Sequence, residues 1–493
     1  MGLCVLGFAA VAVARPGGGG GFSSGGHSSG GGGHSSGGGS IGLIIDLIRL
    51  IIWLIEMCIE YPWFGVTFGS SLVGLVVYTY WKKYQRRNYA EWSTLPPRIE
   101  DTTARRARVE LLGVRKRDPD FSLVLFEDFL YSLFAEVHTA RGAGKLDRLS
   151  VYLSPNAMAQ LRDFQAGPVE DVIVGAMTLL LVNRTKEHTE VLVQIESNST
   201  QGGVAYWDVE EWLVKRRAGC VSRPWSRATQ VACPSCGAPL ESVAEGRCAS
   251  CKEEVGDGRF DWQVTRISRG THEAREPILT GDTVEAGTSD QTLMDPDLNH
   301  AFVAVADALG MSTAAADKAV TARLETIYHT FQKSWAARDL ATMRPYMSDT
   351  LLRMQERWIA AYRRQNLTNV TENPRLVRTE RVRAVLDRYF AAVTFRVYAE
   401  GLDYTVNEKG SVVAGSKRFP RRYTEYWTLV RTLKARKPEN DGGSDDTRPT
   451  CPGCGAELDI EMAGPCPYCK AQVTSACFDW VLSRIEQDET YRG

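Results

Sequence analysis

Apolar residues follow three different rhythms along this chain, and each predicts a different kind of structure. Leu3 to Ala14 is an unbroken apolar or small run closing on Ala12-Val13-Ala14, the small-x-small shape of a signal-peptidase site, so 1–15 reads as a signal-like segment. Residues 63–81 carry no charge over 19 positions and have aromatics at both ends. They predict a transmembrane helix long enough for a ~30 Å hydrocarbon layer. Residues 41–60 are as apolar but carry Asp46, Arg49, Glu56 and Glu60. At helical spacing these fall within a stripe about 80° wide, which suits an amphipathic helix in the interface or a second membrane helix.

From residue 118 the rhythm changes. Tyr131-x2-Phe134 and Tyr328-x2-Phe331 lie on helical stretches. Tyr152-Leu153-Ser154 and Tyr346-Met347-Ser348 open the next helices, with Ser154 and Ser348 as caps. Period-two runs follow at about 172–182 and 189–198, and again at about 376–386 and 391–400. The fold class is therefore α+β: tandem cone-like domains, each with helices first and then a curved antiparallel sheet, at 118–275 and 318–493. Between them 276–317 is mildly acidic and turn-rich and reads as a linker.

Composition locates three excesses. Of 45 Gly, 14 fall in 16–40, a Gly/Ser-rich disordered segment that cannot bury a core. The net charge of −1 gives no global reason to expect nucleic acid, yet 82–117 holds 11 Lys or Arg against four acidic residues and reads as a basic juxtamembrane segment. Lys82, Lys83, Arg86 and Arg87 stand at the exit of the expected span, as membrane-surface contacts for which anionic lipid is a candidate partner. The positive-inside rule then places the chain in the cell inner (plasma) membrane with residues after 82 cytoplasmic.

Cysteine is the third. Cys233-x2-Cys236-x11-Cys248-x2-Cys251 and Cys451-x2-Cys454-x11-Cys466-x2-Cys469 have one spacing and lie 218 residues apart. Two tight pairs of thiolates make a tetrahedral S4 shell, and the Gly after each first pair permits a turn whose amides point at sulfur. The expectation is two structural zinc ions in ribbons at 231–255 and 449–473. Rubredoxin-like iron uses the same ligands but suggests no partner here, and a redox CxxC lacks its thioredoxin-like setting.

The repeat extends past the cysteines. Glu210, Trp212, Val214 and Arg216 share an E-x-W-x-[LV]-x-R pattern with Glu425, Trp427, Leu429 and Arg431, and Phe260-Asp261-Trp262 matches Phe478-Asp479-Trp480. Both flanks alternate apolar and polar residues, so each ribbon is expected at the tip of a β-hairpin. With Asp118-Pro119-Asp120-Phe121 leading into a helix, this set resembles the TIM-forty-four-like domain, named for the mitochondrial import-motor tether. The resemblance covers about 118–269 and 318–486, the D-P-x-F opening occurring only in the first. It implies a nuclear-transport-factor-two-like fold and a role in attachment rather than a known reaction. A bacterial membrane-anchored branch of that family begins, as here, with a signal-like segment, a Gly/Ser tract and hydrophobic stretches. The chaperone-recruiting region has no counterpart in 82–117, and the ribbons are additions to the domain, so protein import is not carried over.

Three functions compete. A non-enzymatic scaffold or tether needs only surfaces for protein partners, oligomers included. An isomerase-like enzyme or small-ligand binder would use the conical pocket but needs an acid/base pair, and His138, His188, His272, His300 and His329 share no spacing between the halves. Nucleic-acid binding through the ribbons conflicts with their charge, five acidic against three basic residues in 231–259. The scaffold is the reading adopted, with no catalytic residues and no nucleic-acid partner.

Overall fold

The computed structural model describes residues 92–433 and 479–493, apart from 165–166, 223–230, 241–242, 245, 257, 276–278 and 280–285. It also describes 464–465, 472–473 and scattered positions of 60–79. The expected signal-like segment, the glycine tract and all of 41–60 but Glu60 lie outside the described residues.

Among the described residues no helix is long and apolar enough to cross a membrane. This overturns the expected transmembrane helix over 63–81, and with it the inner-membrane location and cytoplasmic placement.

Residues from Glu91 onward belong to one compact unit. Its first half begins with α1 (Thr103–Leu112), α2 (Leu123–Gly142) and α3 (Pro155–Asp163). The antiparallel sheet β1 (Val169–Arg184), β2 (His188–Gln201), β3 (Val204–Arg217) and β4 (Gln263–Ala274) follows, with strands in sequence order. The second half has α4 (Leu298–Ala308), α5 (Thr313–Ala337) and α6 (Asp349–Arg364), then β5 (Leu367–Leu386), β6 (Phe390–Asn407), β7 (Arg421–Thr432) and β8 (Val481–Gln487). These four pair in the same order, and Val412–Gly415 also pairs with β6. Register shifts recur along β1–β2 and β5–β6, and such bulges bend a sheet around its helices.

The halves correspond bond for bond. Ser154 Oγ accepts from Ala157 N at 3.2 Å and Ser348 Oγ from Leu351 N at 3.3 Å. Ser154 N donates to Val264 O at 2.9 Å, and Ser348 N to Leu482 O at 2.8 Å. Each cap thereby ties its helix start to the last strand. Trp212 pairs with Ile267 and Trp427 with Ile485.

Two segments differ from expectation. Within 82–117, α1 buries Ala104, Ala107, Arg108 and Leu111, and Arg105 Nε pairs with Asp295 at 3.2 Å. Arg105 and Arg108 are thus engaged inside the unit, while Arg106 and Glu110 of the same helix stay exposed. Within 276–317, α4 places Phe302, Val305 and Ala306 in the second core, and Leu293–Met294 pairs in parallel with Arg98–Ile99.

A buried charge network joins the halves. Arg484 Nη2 donates to Glu127 Oε2 at 2.5 Å, with Arg108, Arg383 and Glu486 also under 10% exposed. Burial opposes the Glu127 charge, yet the guanidiniums of Arg484, Arg383 and Arg108 hold its carboxyl below the usual range. Burial, helped by Arg383, lowers Arg108 to about 10. Removing one member would strand the others in low dielectric, so the network fixes how the halves dock.

Candidate metal centre and the paired sheet interiors

The first cysteine set stands between β3 and β4, at the tip of the hairpin that Lys215 and Gln263 close. Cys233 N donates to Ala238 O and Gly237 N to Cys233 O, both at 2.8 Å, and Gly237 takes φ +78°. The second pair repeats the turn: Cys248 N donates to Glu253 O at 3.0 Å and Lys252 N to Cys248 O at 2.8 Å. There Lys252 accepts φ +64° without being glycine. Each turn curls amides toward sulfur. The N–H groups of Cys251 and Ser250 pull the Cys248 thiol down to about 6 against burial, while burial is the main cause that pushes Cys236 up to about 12.

All four ligand atoms lie within 4.8 Å of one another. Cys233 Sγ and Cys251 Sγ are 3.9 Å apart, Cys236 Sγ and Cys248 Sγ 3.8 Å. A tetrahedron with metal–sulfur bonds of about 2.3 Å has edges of about 3.8 Å, so this group could hold a metal ion. Its scaffold is firm: Tyr152 OH donates to Ala232 O at 2.5 Å, and Cys233, Leu240, Val243, Cys248 and Val255 join the core of the first half.

Cys451, Cys454, Cys466 and Cys469 lie outside the described residues, as do Lys82, Lys83, Arg86 and Arg87. On either side of Cys466 and Cys469, Gly464–Pro465 pairs antiparallel with Gln472–Val473. Pro465 opposite Gln472 corresponds, at an offset of 218, to Arg247 opposite Glu254 in the first ribbon.

Inside each curved sheet the E-x-W pattern makes the same bond. Trp212 Nε1 donates to Glu210 Oε2, and Trp427 Nε1 to Glu425 Oε2, both at 2.9 Å. Residues two apart share a strand face, so the pattern sends a carboxylate inward beside its donor. Glu210 is 1% exposed, and His138 Nε2 stands 3.2 Å from its Oε2. Arg269 Nε approaches Oε1 at 3.6 Å. Burial raises the Glu210 pKa, but His138, Trp212 and Arg269 together bring it below the usual range.

Sequence reasoning missed this cluster. The signal was available in an acid two residues before a Trp on a strand, but His138 lies 72 positions away. His329, also on a first helix, is exposed. The interiors hold rings: Phe134 lies 5.1 Å from Trp212 and Phe331 5.9 Å from Trp427, centroid to centroid. A cavity of about 410 Å³ opens instead where α2 and β1 meet α6, lined by Tyr131, Glu136, Val174, Asp349, Arg353 and Arg357 among others.

Compared with known proteins, residues 316–440 match the family model of the Tim44-like domain. The match covers α5, α6 and β5 through β7, so it falls on the half that lacks the D-P-x-F opening. No curated protein matches the chain.

Proposed function

We propose that this chain is a binding scaffold built from two ribbon-bearing Tim44-like halves, each ribbon stiffened by one structural zinc ion. The observation that carries the reading is the filling of both sheet interiors: Trp212 and Trp427 are fully buried where a substrate would have to sit. The match of 316–440 to the Tim44-like domain supports a protein-interaction role rather than a reaction. The cysteine geometry supports zinc, because four thiolates fill a tetrahedral shell and leave no open position for a substrate or water. Zinc bound there adds its binding free energy to the folding of the ribbon.

Two measurements test this. Full-length protein purified without chelator is expected to carry two zinc ions, falling to one in Cys248→Ser; a metal-free wild type refutes the ribbon assignment. Protein isolated under cross-linking at native abundance is expected to hold a stoichiometric protein partner that Cys233→Ser releases. A chain recovered alone that turns over a member of a metabolite library would replace the scaffold with an enzyme.

A further inference from the structure

A second recess, about 480 Å³ in volume, lies on the first half away from the metal centre. Three segments wall it: the turn after α1, the β1–β2 turn and the chain leaving β3. They bring Lys116, Arg117, Arg184, Lys186, Arg216 and Arg217 to one place, with Asp118 the single carboxylate in the wall. In a chain whose net charge is −1, that concentration comes from the fold and not from composition. Arg184 already pairs with Glu110 at 3.1 Å and Arg216 with Asp118, and the remaining like charges repel one another until a further counter-charge arrives. Lys116 and Lys186 have no ion pair among the described residues, and both are exposed.

Arg216 is the informative residue. It is 3% exposed. Its Nη2 donates to Asp118 Oδ2 at 2.7 Å and to Cys220 O at 2.6 Å, and its guanidinium lies 5.7 Å from the Trp262 ring. Among the described residues Nη1 has no hydrogen-bond partner, and neither has Asp118 Oδ1. Asp118 is otherwise neutralised, since its Oδ2 also accepts from Ser222 N at 3.0 Å and Ser222 Oγ at 2.6 Å. A buried guanidinium N–H without an acceptor is costly, and an oxyanion removes that cost with a charge-assisted bond. A ligand hydroxyl would answer Asp118 Oδ1.

We propose that this recess binds a water-soluble small molecule carrying two or more phosphate groups. The size falls within the range of ordinary ligand pockets, about 300–1,000 Å³. Recognition is by charge: among the described residues no aromatic ring lines the recess, and Val114 and Ala218 offer the apolar side chains beyond the stems of the basic residues. A lipid, whose acyl chains need an apolar wall, fits poorly.

The test uses full-length protein and titration calorimetry in about 0.1 M salt, where unspecific surface attraction is largely screened. Pyrophosphate and fructose 1,6-bisphosphate are expected to bind saturably with one site per chain, and equimolar sulfate is not. The double variant Lys116→Glu/Lys186→Glu is expected to weaken both about tenfold or more, about 1.4 kcal/mol, with an unchanged melting temperature because both side chains are exposed. Equal binding by wild type and variant, equal binding of sulfate, or no saturable binding overturns the proposal. Binding only to vesicles containing phosphatidic acid overturns it too, by assigning the charge to a lipid headgroup.

Discussion

In the first half, the carboxylate that holds Trp212 also meets His138 and Arg269. In the second, the carboxylate that holds Trp427 accepts from Gln487 Nε2 at 3.0 Å. Trp335 stands where His138 would, four residues after the helix Phe, and donates instead to Asn369 Oδ1 at 2.9 Å. Gln487 replaces Arg269, two residues beyond the Ile that faces the Trp. One bond is therefore common to the two interiors while the groups around it change from charged to neutral. The common bond sets the sheet interior; the neighbours set how that interior responds to charge and pH.

The largest expected difference follows from replacing the carboxylate with its neutral isostere. Glu210→Gln keeps an acceptor for Trp212 but removes the carboxylate beside His138 and leaves Arg269 only Asp208, 3.5 Å away, as counter-charge, a loss of about 1.5–3 kcal/mol for bonds to a charged group. Glu425→Gln keeps an acceptor for the neutral donors Trp427 Nε1 and Gln487 Nε2 and should cost less than Glu210→Gln. Hydrogen exchange of the full chain in urea, read on peptides from β3 and β7, separates the halves. Equal losses would erase the distinction. Because Glu210 is held below the usual carboxylate range, its contribution is complete above its unfolded pKa and fades as pH falls through its folded one. The gap between the two variants should therefore narrow in acid.

A smaller effect tests what the halves share. Trp212→Phe and Trp427→Phe each remove a donor to a buried carboxylate, a bond to a charged group worth about 1.5–3 kcal/mol. The two losses should agree within about 0.5 kcal/mol in the same experiment, a tolerance set by the additivity of separated sites. A clear disparity would mean that the bond is structural in one half and incidental in the other.

Sequence made the repeat legible because its parts are local: cysteine spacing, Ser caps, period-two runs. The bonds that decide behaviour are not local. Alternation puts Glu210 on the face of Trp212, but its partner His138 lies 72 positions away and is set only by how α2 packs into the curved sheet. Likewise α2 reads as amphipathic, yet 14 of its 20 residues are buried. Val124 lies against Phe390 and Val481 of the other half, a surface no single-repeat pattern encodes. The pairing of Arg98–Ile99 with Leu293–Met294 spans two residues a strand, too short for periodicity to register, which is why the chain around it read as a juxtamembrane segment and a linker.

The smallest expected effect concerns one position on the second strand of each sheet. Glu196 lies three residues past Val193, the partner of Trp212; Tyr398 lies three past Phe395, the partner of Trp427. Burial pushes the half-buried Glu196 carboxyl up to about 7, with Arg492 opposing, whereas Tyr398, fully buried, presents a neutral hydroxyl 2.6 Å from Thr292 Oγ1. The folded state therefore prefers Glu196 protonated. Ionisation destabilises the fold progressively as pH rises from the unfolded carboxylate value to about 7, and no further beyond it. Glu196→Gln should accordingly raise the melting temperature at pH 8 and change it little at pH 4, while Tyr398→Phe should show no such pH dependence. If Glu196→Gln shifts the transition equally at both pH values, the carboxyl titrates alike in the folded and unfolded chain, and the electrostatic contrast between the halves stops at the sheet interiors.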